Sequence, residues 1–274
     1  MPGTLSCPCY HPGMRPADLY HSARVAAGYA RSRPPVHDRI IEAVAQRFEE
    51  LGIERAGRAL DIGCGAGLST AALVPLAARA VGLEPAREML THRAEVAPVA
   101  AFVVGRAEEL PFRDGVFDLL TAAGALNYTD LPRVLPEAAR VLNDEGVFLI
   151  YDFSSGRRLA GDARLDLWFT TFERRYPFPP GYELDVKSLD FGAAGLRLVR
   201  FEPLQVAVPM DASAYLAYAM SEMNVEQAVA AGIAEAGIAS WCEAGLHDIF
   251  AAGPRDVLFD GYVAYVRPAL PSAA

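Results

Sequence analysis

The alternation of apolar and polar residues predicts strands and helices in turn. The apolar residues Leu60 and Ile62 end a predicted buried strand, residues 58–62, and a helix is predicted over residues 68–78. Apolar residues at helical spacing over residues 36–51 predict a helix that packs on a sheet. Further strands are predicted at residues 80–83, 101–104, 117–121, 147–151, 196–208 and 257–266, and further helices at 18–31, 86–96 and 131–142. This alternation is typical of an α/β fold.

A glycine-rich turn follows the first predicted strand. Gly63, Gly65 and Gly67 lack a Cβ, so each can adopt a positive φ and let a ligand approach the backbone. The helix after the turn has unpaired N–H groups at its start. Strand, tight turn and helix in this order are typical of nucleotide binding.

The spacing of the turn separates two classes of nucleotide ligand. Dinucleotide sites carry a third glycine where this chain has Leu68. Asp61, at the end of the strand, suits a cationic amino group and would repel a pyrophosphate. Glu84 ends the next predicted strand and is expected to accept the ribose hydroxyls of either ligand. The turn therefore favours a ligand with a cationic group.

Four segments in order resemble the class I S-adenosylmethionine-dependent methyltransferases. They are the Asp61 to Gly67 turn, Glu84, Gly105 to Phe112 and Phe117 to Leu120. The resemblance implies a Rossmann-like three-layer α/β sandwich with a seven-stranded, mostly parallel sheet and an antiparallel last strand. It also implies S-adenosylmethionine as the cofactor.

The resemblance further implies which residues contact that methyl donor. The implied donor-binding residues are Tyr29, Arg33, Asp61, Gly63, Cys64, Gly65, Glu84, Pro85, Met89, Ala107, Glu108 and Ala122. The Tyr29-x-x-x-Arg33-Pro34 segment is similar to that of trans-aconitate methyltransferase-like proteins, in which an N-terminal arm closes over the donor. Arg33 would then meet the methionine carboxylate, with a surface ion pair as the alternative. For Met89, contact with the adenine and core packing both stay open.

The segment after the third strand departs from the family pattern. Arg106 replaces an aspartate that commonly accepts a hydrogen bond from the adenine amine, which an arginine cannot do. Either Glu108 accepts this bond while the Ala107 amide addresses the ring, or Arg106 stacks on the base. We favour Glu108.

Asp152 is the first candidate for a catalytic, substrate-facing acid. It follows the fifth strand, at the edge where open α/β sheets bind ligands. Asn127 and Tyr128 replace a histidine-containing pair frequent in relatives, and an asparagine cannot remove a proton. Tyr128 and His247 are the other candidate bases.

The chain is expected to comprise an arm (residues 1–35), a donor-binding core (36–152) and the remainder of the sheet (153–274). Two insertions, residues 157–182 and 211–250, are rich in aromatic and helix-forming residues. They are expected to form a lid that determines substrate choice. Packing of a subdomain is the alternative role for their aromatic side chains.

Composition limits the partners and the compartment. A net charge of −9 disfavours sequence-independent nucleic-acid binding and favours a small-molecule acceptor. The chain shows neither a membrane-spanning apolar run nor a signal peptide, so we expect no membrane partner and a cytoplasmic location. Cys7 and Cys9 are spaced too closely for an ordinary metal site, and no metal is expected. The oligomeric state is not predicted.

Methyl transfer to an oxygen, carbon or nitrogen atom of the acceptor is therefore the expected activity. A nicotinamide-dependent oxidoreductase and a non-catalytic S-adenosylmethionine-binding protein are the alternatives.

Overall fold

The computed structural model of the protein describes residues 20–50, 55–179 and 184–269. The described helices are α1 (Ala23–Ser32), α2 (Val36–Glu50), α3 (Leu68–Leu73), α4 (Arg93–Val96), α5 (Leu131–Val141), α6 (Arg164–Arg175), α7 (Ala212–Met220), α8 (Met223–Ala230) and α9 (Glu235–Leu246). The described strands are β1 (Ala56–Ile62), β2 (Ala77–Glu84), β3 (Ala101–Val104), β4 (Phe117–Ala123), β5 (Leu142–Phe153), β6 (Arg158–Leu159), β7 (Leu196–Met210) and β8 (Arg255–Pro268). Cys7 and Cys9 lie outside the described residues.

The strands form one mixed sheet in the order β3-β2-β1-β4-β5-β8, with β7 and the two-residue β6 both paired to β8. Strands β1 to β5 pair in parallel, and β8 runs antiparallel to β5, β6 and β7. The predicted mostly parallel sheet with an antiparallel last strand is confirmed. Because β1 and β4 are central neighbours, their carboxyl ends place the glycine turn beside residues 124–128.

Helices cover both faces of the sheet because its central strands are apolar on both sides. One buried cluster joins α2, including Ile40 and Val44, to Leu149 of β5 and to the aromatic side chains of the inserted helices. A second cluster packs α5 and Val186 against the other face, including Ile150. The sequence prediction of a three-layer α/β sandwich agrees with this arrangement.

Two predicted helices are shorter than expected. The helix predicted over residues 68–78 ends at Leu73, and a 3-10 turn containing Pro75 leads directly into β2. Proline lacks the N–H that would continue the helix. The helix predicted over residues 86–96 is a 3-10 turn from Met89 to His92 followed by the four-residue α4.

The aromatic residues of the two insertions pack against one another. Trp168 of α6 stacks on Phe172 and on Trp241 of α9, with ring centroids 5.2 and 5.9 Å apart. Tyr215 of α7 meets the edge of the Trp168 ring. All four residues belong to or pack against the core cluster that includes α2, so the described parts of the insertions share the core of the sheet. Within the described residues, no helix combines the length and hydrophobicity that crossing a bilayer requires.

Candidate functional site

Asp61 stabilises the glycine turn through three hydrogen bonds. Its Oδ2 accepts hydrogen bonds from the hydroxyls of Ser69 (2.6 Å) and Thr70 (2.7 Å), and its Oδ1 accepts one from Thr121 (2.7 Å). The side chain is fully buried; burial raises the pKa of its carboxyl, although the three hydroxyl donors act to lower it. The predicted interaction of Asp61 with a cationic amino group stays a prediction. Through these three hydrogen bonds, Asp61 of β1 is connected to α3 and to β4.

The turn itself requires glycine at two positions in particular. Gly63 has φ +69°, and a Cβ there would lie 2.5 Å from the Cβ of Ala125. Gly67 has φ +97°, and a Cβ there would lie 3.0 Å from the Phe102 ring. Both backbones are in the left-handed region, which strains any other residue. The close approach at Gly63 brings the turn against the segment that follows β4.

Glu84 lies at the end of β2, beside the turn. Its Oε2 accepts a hydrogen bond from the Gly65 amide (3.0 Å), and its Oε1 accepts one from the Ala86 amide (2.9 Å). Burial raises the pKa of this carboxyl, and the two amides act in the opposite direction. Each oxygen keeps a second lone pair for another donor. Pro85, the next residue, is exposed.

Cys64 fills the space between the turn and β2. Its side chain is buried, and burial raises the pKa of the thiol well above its usual value. A Cβ on Gly82 would lie 2.7 Å from the Cys64 sulfur, so the glycine in β2 makes room for this side chain of the turn. The environment is that of a packing residue with a neutral thiol.

Helix α1 covers the turn. Val25 and Ala26 form a buried apolar cluster with Ala66 of the turn, Ala86 and Met89. Tyr20, Tyr29 and Met223 pack around this cluster. Met89 is therefore enclosed by α1, and its predicted contact with an adenine stays a prediction.

Arg33 follows α1 and is held by the second insertion. Its Nη1 and Nη2 donate to the two carboxylate oxygens of Glu222 at 3.2 and 3.3 Å, and Nη2 also donates to the Ser221 carbonyl at 3.1 Å. The guanidinium lies 4.2 Å from the Tyr29 ring centroid. Burial opposes its charge, but Glu222 and the surrounding tyrosines outweigh that effect and raise the pKa of Arg33. Its buried Nε has no hydrogen-bond partner among the described residues.

In the segment after β3, the Glu108 carboxylate contacts the start of α5. Glu108 is buried; its Oε1 accepts a hydrogen bond from the Asp130 amide (3.1 Å), and its Oε2 lies 3.4 Å from Nε of Arg106. Arg106 has a 71% exposed side chain. Ala107 is buried in the apolar cluster on the α5 face. Glu108 thus anchors the start of α5 in this structure, and its predicted bond to an adenine amine stays a prediction.

A second polar group lies where β4 and β5 end. Nδ2 of Asn127 donates to Oδ2 of Asp152 (3.3 Å), and the Phe153 amide donates to Oδ1 (2.8 Å). Burial raises the pKa of the Asp152 carboxyl, and these two bonds oppose the rise. A Cβ on Gly124 would lie 3.0 Å from Oδ1 of Asp152, so the glycine leaves the acid accessible from the end of β4. Ala122, two residues earlier, is buried in the core.

Tyrosines connect this edge to the α1 cover. The Tyr20 hydroxyl donates to that of Tyr128 (3.3 Å) and lies 3.5 Å from that of Tyr29. Tyr128 is 48% exposed; partial burial raises the pKa of its phenol, and the hydrogen bond with Tyr20 opposes that rise. The hydrogen bond between Tyr20 and Tyr128, which are 108 positions apart in the chain, therefore connects the segment before α1 to the segment after β4.

Two histidines lie in contrasting environments. His247, a candidate base, has a 79% exposed side chain at the end of α9 and pairs with Asp248. His37 carried no prediction, yet its Nδ1 lies 3.0 Å from the Tyr151 hydroxyl, between α2 and β5. Burial, with a smaller contribution from Arg33, lowers the pKa of His37 to about 4.

Sequence reasoning did not find Glu222, Tyr20, or the hydroxyls that hold Asp61. The Ser69-Thr70 pair directly after the glycine turn is a usable signal for hydroxyl partners. Glu222 has no such signal, because its partner lies 189 residues away in the chain. Such pairing depends on the tertiary fold.

Comparison with known proteins matches the centre of the chain to one family. Residues 60–150 match the methyltransferase domain family, and this range contains the glycine turn, Glu84 and Asn127. The chain is 36% identical over 101 residues to YcgJ of Bacillus subtilis, an uncharacterized methyltransferase. Residues 60–150 therefore form a methyltransferase domain, similar to those of class I S-adenosylmethionine-dependent methyltransferases.

The other relatives show how far the similarity to this methyltransferase domain extends. A malonyl-[acyl-carrier protein] O-methyltransferase of Geobacter sulfurreducens is 37% identical over 131 residues, 44% of this chain and 47% of that protein. The YcgJ match spans 35% of this chain and 40% of YcgJ. The chain thus spans about half the length, or less, of these curated relatives.

Solved structures share the fold of the methyltransferase domain and of the strands beyond it. A candidate type II methyltransferase of Anaeromyxobacter dehalogenans superposes with a TM-score of 0.64 at 22% identity, covering 82% of this chain and 96% of that chain. The crystal structure of YcgJ gives a TM-score of 0.51 at 21% identity and covers 84% of this chain and 99% of its own. At these identities the superpositions show the fold alone.

Proposed function

We propose that the protein transfers the methyl group of S-adenosylmethionine to a small-molecule acceptor. The observation that carries this proposal is the position of Glu84, whose buried carboxylate holds the amide of Gly65 at the glycine turn. When bound, the donor supplies a methyl group attached to a sulfonium sulfur. Transfer breaks the bond between the methyl carbon and the sulfur, and the neutral thioether is the leaving group. The residues around the turn fit such a ligand in three respects.

First, both Glu84 oxygens retain a lone pair that can accept a ribose hydroxyl. Second, Gly63, Gly65 and Gly67 hold the turn at positive φ, and without side chains their backbone can be approached closely by a ligand. Third, the buried Nε of Arg33 is a charged donor without a partner among the described residues, and a carboxylate suits it. Together these features support a ligand that carries both a ribose and an amino-acid end.

The acceptor would bind where β4 and β5 end. Asn127 orients the Asp152 carboxylate, and Gly124 leaves one side of that carboxylate open. Methyl transfer is an in-line displacement, so alignment by fixed groups supplies much of the rate. The raised pKa of Asp152 also suits a group that takes a proton from a hydroxyl, amine or activated carbon.

The acceptor is a small molecule in this proposal, and the location is cytoplasmic. The net charge of −9 argues against a nucleic-acid substrate, because phosphate recognition requires clustered cations. The exposed phenol of Tyr128 and the Asp152 carboxylate provide polar contacts for one molecule of modest size.

Transfer of labelled methyl from S-adenosylmethionine to a panel of carboxylate, hydroxyl, amine and activated-carbon acceptors tests the proposal. With an acceptor found, Asp152→Asn should lower kcat by about 100-fold and leave affinity for S-adenosylhomocysteine unchanged. The control Asp260→Asn removes a carboxylate on β8 that pairs with Arg158 of β6 and Gln205 of β7, and it should retain activity.

Other outcomes select the alternatives. Binding of S-adenosylhomocysteine without methyl transfer to any acceptor would favour a non-catalytic binding protein. Fluorescence of bound NADH, with no affinity for S-adenosylhomocysteine, would favour an oxidoreductase.

A further inference from the structure

We propose that Glu222, in the second insertion, is a positioning residue for the donor: it orients Arg33 so that Nε stays available to the carboxylate of the donor's amino-acid end. The inference rests on the proposed function. It assigns part of the second insertion to donor binding, in addition to any role toward the acceptor.

The geometry of the ion pair supports this role. The two terminal nitrogens of Arg33 each donate to a different oxygen of Glu222, and the Ser221 carbonyl takes a further bond from Nη2. This end-on arrangement fixes the plane of the guanidinium. Of its three nitrogens, only Nε is left without a partner among the described residues.

Burial makes the arrangement specific. The Glu222 side chain is 6% exposed and that of Arg33 is 16% exposed, so neither charge is well hydrated if the other is removed. The Tyr29 ring lies under the guanidinium at 4.2 Å, and Tyr218 lies at 5.5 Å. Tyr29 also packs on the cluster formed by α1, Ala66 and Met89. Through Tyr29, Arg33 is therefore connected to the apolar cluster that includes Ala66 of the glycine turn.

A second ion pair provides a matched comparison. Arg24 donates to Glu226 (2.7 Å), to Glu235 (3.0 Å) and to the Met220 carbonyl (2.8 Å). Like the first pair, it joins the α1 region to the start of α8, but it includes no contact with Arg33. Glu226→Gln thus weakens the attachment of α1 without removing a partner of Arg33.

The test measures the affinities of S-adenosylhomocysteine and 5′-methylthioadenosine for the wild type, Glu222→Gln and Glu226→Gln. The second ligand lacks the amino-acid end. We expect Glu222→Gln to weaken S-adenosylhomocysteine binding about tenfold, because a freed arginine must be ordered again on binding. Binding of 5′-methylthioadenosine should change less than about twofold, and Glu226→Gln should affect both ligands equally.

Three results would overturn the inference. If Glu222→Gln weakened the binding of both ligands equally, Glu222 would only attach α1 and Arg33 to the second insertion. Unchanged or tighter S-adenosylhomocysteine binding would mean that Glu222 competes for Arg33 or has no role. If neither ligand bound to the wild type, the proposed function itself would be rejected.

A double-mutant comparison keeps the test valid if Glu222→Gln lowers stability. Arg33→Gln should produce the same selective loss of S-adenosylhomocysteine affinity. Adding Glu222→Gln to that variant should then cause no further selective loss, since the residue that Glu222 positions is absent. A further selective loss would contradict the inference.

Discussion

The glycine turn and the cover above it, formed by α1 and Arg33, are held in place by different kinds of contact. In the turn, Asp61 and Glu84 accept hydrogen bonds from groups between 2 and 60 residues away in the chain. In the cover, Arg33 and Arg24 pair with glutamates 189 and 202 residues away. The turn thus belongs to the sheet and should contribute to global stability. The cover depends on distant segments, and its alteration should change ligand binding more than folding.

Replacement of Asp61 is expected to have the largest effect on stability. Asp61→Ala leaves three buried hydroxyls without their acceptor, and relief of the buried charge offsets only part of this loss. We expect the free energy of unfolding to fall by about 3 to 5 kcal/mol, measured by urea denaturation. Asp61→Asn keeps one acceptor oxygen and should lose less. A change below about 1 kcal/mol for Asp61→Ala would show that the turn does not depend on this acid.

The pH dependence of stability tests the contact between α2 and the sheet. The pKa of His37 falls from 6.5 to about 4 on folding. The unfolded state therefore binds the proton first as the pH falls, and stability decreases between pH 6.5 and 4. The difference between the two pKa values corresponds to about 3 kcal/mol at most. His37→Gln should lack this component. Identical pH dependence in the two proteins, measured by urea denaturation, would contradict the assignment.

A pair of glycine substitutions separates close contact from backbone strain. Gly63→Ala and Gly195→Ala introduce a Cβ at nearly the same φ, +69° and +71°, but only the first meets an atom within 4 Å, the Ala125 Cβ at 2.5 Å. We expect both to lose about 1 kcal/mol from strain. Gly63→Ala should lose about 2 kcal/mol more from the steric contact. Equal losses in thermal denaturation would show that the turn can move away from Ala125.

The smallest effect is expected in the cover. Glu226→Gln keeps a hydrogen-bond acceptor for Arg24, which also retains Glu235 and the Met220 carbonyl. Because a neutral acceptor replaces a charged one, the free energy of unfolding should fall by only about 1 kcal/mol. A loss as large as that of Asp61→Ala would remove the distinction between the two regions.

The sequence predicted the sheet more completely than the site. Strand positions and the antiparallel last strand follow from local apolar patterns and from the family resemblance, and the structure confirms them. The helix predicted to reach residue 78 was too long because Pro75 ends it earlier than the run of alanines indicates. Local signals of this kind lie within a few residues of the element that they determine.

The partners of the candidate site residues could not be predicted in the same way. Motif spacing located Asp61, Glu84 and Arg33, but the structure shows that hydroxyls, backbone amides and Glu222 occupy much of their hydrogen-bonding capacity. Such partners are brought together by strand order and by inserted helices. A motif therefore identifies where a ligand would bind more readily than which atoms are free to bind it.

The most direct test of the central claim is calorimetric titration of the wild type and of Glu84→Ala with S-adenosylhomocysteine. Glu88→Ala is the control, because Glu88 lies on the same loop but pairs with His21. We predict micromolar binding to the wild type and to the control, and loss of binding in Glu84→Ala with its fold retained. No binding to the wild type, or unchanged binding to Glu84→Ala, would contradict a methyl-donor site at the glycine turn.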